Sequence, residues 1–179
     1  ATRTAWSTVL ALARAIGALK GGAIEIKFEA EAELDLFLQQ AILPIFHRAV
    51  MTAAQLLLRT GYPAEAVFSE LYVSGETSDH FKQAAISGLI GAIKGNTLPA
   101  QYGILSRYER FTDMRLERLM EITLEEIRQG KFAAEWSREF TADYPRLRQL
   151  LREQEKLDMW ELEQQTLDLL HPDRVDDTD

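Results

Sequence analysis

Apolar residues occupy every helical face from Leu34 onward in the glycine-free stretch Glu31 to Thr60, EAELDLFLQQAILPIFHRAVMTAAQLLLRT. A surface helix shows one apolar stripe, so this pattern predicts a buried central helix. Pro44 has no amide hydrogen; the Gln40 carbonyl loses its helical partner, and a kink is expected there. Asp35 and Gln39 stand four apart and stack on one face. A buried carboxylate costs several kcal/mol unless a metal or an arginine offsets it. Asp35 is therefore the first side chain to question.

The same periodicity extends along the rest of the chain. Thr4 to Leu19 reads as a helix with Trp6, Val9, Leu10, Ala13, Ile16 and Gly17 inward, stopped by Gly21 and Gly22. Ala23 to Phe28 is an extended connector rather than a sheet strand. After Gly61, Pro63 starts a helix over Ala64 to Val73 with Val67, Phe68, Leu71 and Tyr72 inward. Gly75 breaks the chain, and Ser78 to Lys94 forms the next helix, stopped at Gly95-Asn96. Gln101 to Arg110 reads as a loop or broken helix. Asp113 to Gln129 is amphipathic, with Leu116, Leu119, Met120, Thr123, Leu124 and Ile127 as its stripe. Lys131 to Phe140, Tyr144 to Lys156 and Asp158 to Leu170 follow as helices, the last two with narrow seams suited to an outer layer. Pro172 onward is expected to be an acidic mobile tail. The fold class is all-α, a single domain over residues 1–171 with the tail at 172–179.

Bulk composition narrows the function. The 179 residues and 46% hydrophobic content suit one domain with a sizeable core. Twenty basic against 28 acidic residues give a net charge of −8, which argues against nucleic acid as a partner. Cysteine is absent, so thiolate metal sites and disulfides are excluded and a cytoplasmic setting is expected. His47 and Arg48 interrupt the best apolar run before the ~20 residues of a membrane span, so no membrane is expected. The N-terminal segment carries Arg14 inside its apolar run and reads as a packed helix, not a signal peptide. The chain starts with Ala and is expected to be a processed or excised piece of something longer.

Three stretches, in this order, resemble the C-terminal domain of ketol-acid reductoisomerase: STVLALARAIGALKGGAIEIKF, AELDLFLQQAILP and TLEEIRQGKFAAEW. The resemblance covers roughly residues 6 to 170. It implies a knotted helical bundle, a homodimer whose active sites are completed across the two-fold, and a place in branched-chain amino-acid biosynthesis. It also implies magnesium-dependent alkyl migration in 2-acetolactate-type substrates, followed by hydride transfer from NADPH. Two magnesium ions act there as Lewis acids on hard oxygen ligands.

Carried onto this sequence, the resemblance places Asp35 and Gln39 at the first pair of metal positions. Glu70 falls at the second, as metal ligand and catalytic carboxylate. Ser74 replaces that pair's other glutamate, and Glu76 lies past a helix end. Ser106 is the candidate for the family's substrate-binding serine. Gln39 and Ser74 remove two carboxylates, so one metal site at most is expected. No G-x-G-x-x-G occurs, and no nucleotide-binding domain is expected in this chain. Either that domain was removed from the N-terminal side or the chain is a free-standing relic, and NADPH enters only through a separate N-terminal domain.

Other residues read as structural. His47 is expected to be a hydrogen-bonded core histidine, and His80 and His171 solvated ones. Trp6, Trp136 and Trp160 read as packing residues, not a stacking platform. Two alternatives to the reductoisomerase reading stand beside it. One is a non-catalytic helical dimerisation scaffold; the other is a binder of a small 2-keto or 2-hydroxy acid.

Overall fold

Glycines and prolines punctuate a wholly helical chain in the computed structural model, which describes residues 3–20 and 22–170; among these there is no β-strand. The chain divides into two compact units between Leu36 and Phe37. Gly21, His171 and the expected tail at 172–179 lie outside the described residues.

The first unit holds α1 (Arg3–Ala15) and most of α2 (Phe28–Phe37). α1 ends four residues sooner than periodicity predicts. Gly17 takes φ 76°, a left-handed conformation that closes the helix with turns. Trp6, Leu10 and Ala13 are half-buried, but Val9 and Ile16 are exposed, so the expected inner face is only partly used. Residues 23–27 are the extended connector.

The second unit begins with a π-turn, Leu38–Ile42, in which the Leu43 amide donates to the Leu38 carbonyl five residues back. Pro44 follows at once, so the kink expected at the proline appears as a wider turn just before it. α3 (Leu43–Arg59) then runs to Thr60, whose amide and hydroxyl close the last turn. α4 (Ala64–Phe68) continues into a second π-turn, Ser69–Val73. The Ser74 amide bonds the Ser69 carbonyl, and Thr77 Oγ1 donates to the Leu71 carbonyl at 2.8 Å. Gly75, at φ 83°, turns the chain into α5 (Glu76–Lys94).

α5 is broken at Gly88, whose φ 77° and ψ 165° belong to a region open essentially to glycine alone. Of the two readings of Gln101 to Arg110, the broken helix holds and the loop does not: α6 runs from Leu98 to Tyr108, then tightens into a 3-10 segment, Glu109–Met114. Pro99 is compatible with a helical first turn, where its missing N–H has no partner to lose. α7 (Leu116–Arg128), α8 (Lys131–Thr141), α9 (Pro145–Glu155) and α10 (Asp158–Leu170) complete the unit.

Its core joins α3, α4 and α10. Ala54, Val67, Phe68 and Met159 are buried together, with Met51, Leu57, Leu58 and Leu71 packed around them. Phe68 is 1% exposed, and burying such a side chain contributes about 1.5–3 kcal/mol. A smaller contact sets α7 against the first π-turn; Ala41 on the turn and Ile127 on α7 are buried.

The central helix is not buried all round, contrary to its pattern. The helical stretch Phe28–Arg59 contains an 18-residue window of mean hydropathy 1.5 that is only 11% buried. By length and composition this stretch is long and apolar enough to cross a membrane, despite His47 and Arg48. Within the chain only one face of α3 meets α4 and the core. Asp35 is accordingly exposed, not a buried carboxylate, and His47 is exposed, not a core histidine.

Candidate functional site

Glu70 is the second residue of the π-turn Ser69–Val73, and Gln39 is the second residue of the π-turn Leu38–Ile42. π-turns are rare and concentrate at functional sites, because the extra residue re-aims side chains that an α-helix would stack regularly. Two of the positions that the resemblance singles out therefore sit on the chain's two π-turns among the described residues. Periodicity gave no signal of either turn beyond Pro44.

Glu70 lines a groove of about 910 Å³ formed by its π-turn and by α5 and α6, with Phe46 of α3 contributing to the wall. Glu76 and Asp79 line it too, but both belong to the first turn of α5, where carboxylates stabilise the positive end of a helix dipole. Asp79 is also paired to Lys82 at 2.8 Å in an exposed contact. These two acids have structural reasons to be there. Glu70 is exposed and lies within the continuous helical stretch from α4 into the π-turn, not at a helix start.

The far side of the groove is built from caps. Asn96 Nδ2 donates to the Ala92 carbonyl at 2.8 Å, closing α5. Gln101 Nε2 reaches back to the Lys94 and Asn96 carbonyls at 3.1 and 2.7 Å, clamping α6 onto that end. His80, read as a solvated residue, is half-buried and meets Phe81 edge-on with ring centroids 6.1 Å apart.

Asp35 belongs to the first unit, on α2. Gln39 and Ser106 are not among the described residues that line the Glu70 groove. Ser106, on α6, donates its hydroxyl to the Tyr102 carbonyl and accepts from Arg107 Nη1 at 2.8 Å. Gln40, next to Gln39, has its Nε2 buried with no hydrogen-bond partner among the described residues, a donor that the π-turn leaves unsatisfied. Among the described residues no three His, Asp or Glu side chains converge as a metal site requires.

Tyr72, two residues beyond Glu70 in the same π-turn, donates its hydroxyl to Glu163 on α10. Its pKa is raised well above the ordinary tyrosine value, first by burial, then by the hydrogen bond and the negative charge of Glu163. This pair was not legible in the sequence, because α10 read only as an outer helix.

Residues 28–171 match the sequence profile of the family described as "Ketol-acid reductoisomerase, C-terminal domain". A putative ketol-acid reductoisomerase 3 of Saccharolobus solfataricus is 32% identical over 147 residues, 81% of this chain and 44% of that protein. A ketol-acid reductoisomerase (NADP(+)) of Methanothermobacter thermautotrophicus is 33% identical over 164 residues, 90% of this chain and 49% of that protein. The chain thus spans about half the length of these relatives. The solved structure of an NADH-preferring ketol-acid reductoisomerase from an uncultured archean shares the fold, with a TM-score of 0.77 over 89% of this chain and 48% of that one at 22% identity.

Proposed function

The chain belongs to the ketol-acid reductoisomerase family, as its C-terminal domain, and from that premise we propose that it supplies the helical half of a reductoisomerase-type protein of branched-chain amino-acid biosynthesis. The observation that carries this reading is Glu70 on its π-turn at the head of an open groove. A carboxylate held there by a rare backbone turn, with no helix end to stabilise, suits contact with a cation or a polar substrate.

The donor set does not fit a two-magnesium centre. Gln39 and Ser74 stand where two carboxylates are needed, and among the described residues no three acidic or histidine side chains converge. A pair of divalent ions carries four positive charges, which about four carboxylates would balance. One divalent ion, with Glu70 among its ligands, is therefore the most this donor set suits. No glycine-rich phosphate turn is present in the sequence, so NADPH would be held by a nucleotide-binding domain outside it.

Assembly with a second copy belongs to the same proposal. Ile86, Leu98 and Tyr102 on α5 and α6 are 82%, 78% and 71% exposed, and Leu89, Leu105 and Tyr108 extend the strip. Large apolar side chains this exposed suit a surface that a partner covers. A homodimer would cover it and would bring oxygens from both copies to one groove, as the family's knotted, two-fold architecture implies.

A second reading, a dimerisation scaffold without catalysis, is favoured by the same loss of carboxylates. Magnesium calorimetry on the chain separates the two. One ion per protomer, lost in Glu70→Gln, supports the reductoisomerase-type site. Two ions per protomer contradict the reduced donor set, and no binding at all leaves the scaffold.

A further inference from the structure

A second concavity, which shares Phe46 with the Glu70 groove, lies between α3, the α4 helix with its π-turn, and α10, with a volume of about 320 Å³. Phe46, Phe68, Tyr72 and Trp160 supply aromatic wall, and Met51 and Met159 supply pliable thioethers that fit irregular shapes. Trp160 is 43% exposed and stands at the mouth, so the cavity is open to solvent. Its size suits one ring and a short chain.

The polar groups inside define which chemistry it takes. Tyr72 commits its only proton to Glu163 Oε1. The pair therefore presents acceptors alone: the Tyr72 oxygen lone pair and Glu163 Oε2. His47 and Gln154 also line the cavity, and each of these side chains can donate or accept, so neither excludes a donor. A carboxylate ligand would face the Glu163 charge, and a neutral acceptor would find no donor on that wall. An ammonium group finds two acceptors, a negative charge and aromatic faces that attract cations.

We propose that this cavity binds a primary ammonium group carried on a small aromatic body. The ligand class is opposite in charge to a 2-keto acid, and the site does not depend on the metal reading of Glu70.

Calorimetry on the full chain at pH 7 with 2-phenylethylamine, 2-phenylethanol and 3-phenylpropionate tests it. The expected result is saturable one-to-one binding of the amine, binding of the alcohol weaker by about tenfold or more, and no binding of the acid. Glu163→Gln keeps an oxygen to accept from Tyr72 but removes the charge. It should weaken the amine by about tenfold and leave the alcohol unchanged. Val50→Phe, which fills the cavity from α3, should abolish binding of both. Equal affinity for amine and alcohol overturns the proposal on the unaltered chain, whatever the variants do. Binding that survives Val50→Phe, or an amine affinity unchanged in Glu163→Gln, overturns it as well. Absence of saturable binding does the same and indicates that a segment of this chain or a second copy fills the cavity.

Discussion

The Tyr72 hydroxyl on the second π-turn donates to Glu163 on α10, a residue 91 positions later in the chain. The bond ties the last helix to the turn that carries Glu70 and closes one wall of the α3–α4–α10 cavity. It makes α10 part of the core rather than a peripheral layer, consistent with the burial of Met159 and Thr166 on the same helix.

Tyr72→Phe should lower stability by about 1–2 kcal/mol, the loss of a charge-assisted hydrogen bond at a half-buried position. The effect is pH-dependent. The folded protein holds the Tyr72 proton above the ordinary tyrosine range, so this contribution is complete below about pH 10. It declines as pH rises further, because the unfolded chain loses its proton first. Urea titrations between pH 8 and 11 should show a steeper alkaline loss for the parent than for the variant.

Phe68→Ala should cost about 3–5 kcal/mol, since Phe68 is 1% exposed and its removal leaves a cavity at the centre of the small core. Thermal denaturation followed by circular dichroism should show the second unit melting earlier by several degrees at least. Phe81→Ala, at an exposed ring, should cost far less.

Gly88 and Gly103 predict opposite outcomes for one substitution. An added Cβ meets nothing within 4 Å at either position. Gly88→Ala nevertheless forces alanine into φ 77° and should destabilise by about 1–3 kcal/mol, or straighten α5. Gly103→Ala, inside α6, should stabilise by about 0.5–1 kcal/mol. Paired melting curves check both signs.

Tyr102→Glu and Leu105→Glu place charges on the exposed α6 strip without touching the core. Sedimentation should show the parent as a dimer and the double variant as a monomer, with helicity kept near the strip-independent core. A parent chain that sediments as a monomer at micromolar concentration would sink the assembly proposal.

The helical class, most helix bounds and the inner face of α4 were legible in the residues, because each rests on local chemistry. Val67 and Phe68 are inward by helical spacing, and Pro44 and Gly75 act on their own backbones. The order of three short motifs likewise pointed to the family that residues 28–171 match. Gln101 to Arg110 shows the limit: the residues left a loop and a broken helix both open, because Gly103 weakens the helical pattern, and the helix α6 forms with Gln101 clamped to the end of α5.

Tertiary packing decided the remainder. Hydropathy showed that the central helix is apolar all round, but α4, α10 and, through Phe81, α5 determine which part of α3 is covered among the described residues. The π-turns depend on a one-residue shift of hydrogen bonding, from four to five positions, that periodicity over a short stretch does not register. The Tyr72–Glu163 pair and the cavity beside it join segments far apart in the chain. A pattern within one helix states which face seeks a partner; only packing selects the partner, because that choice depends on the shapes of every other element at once.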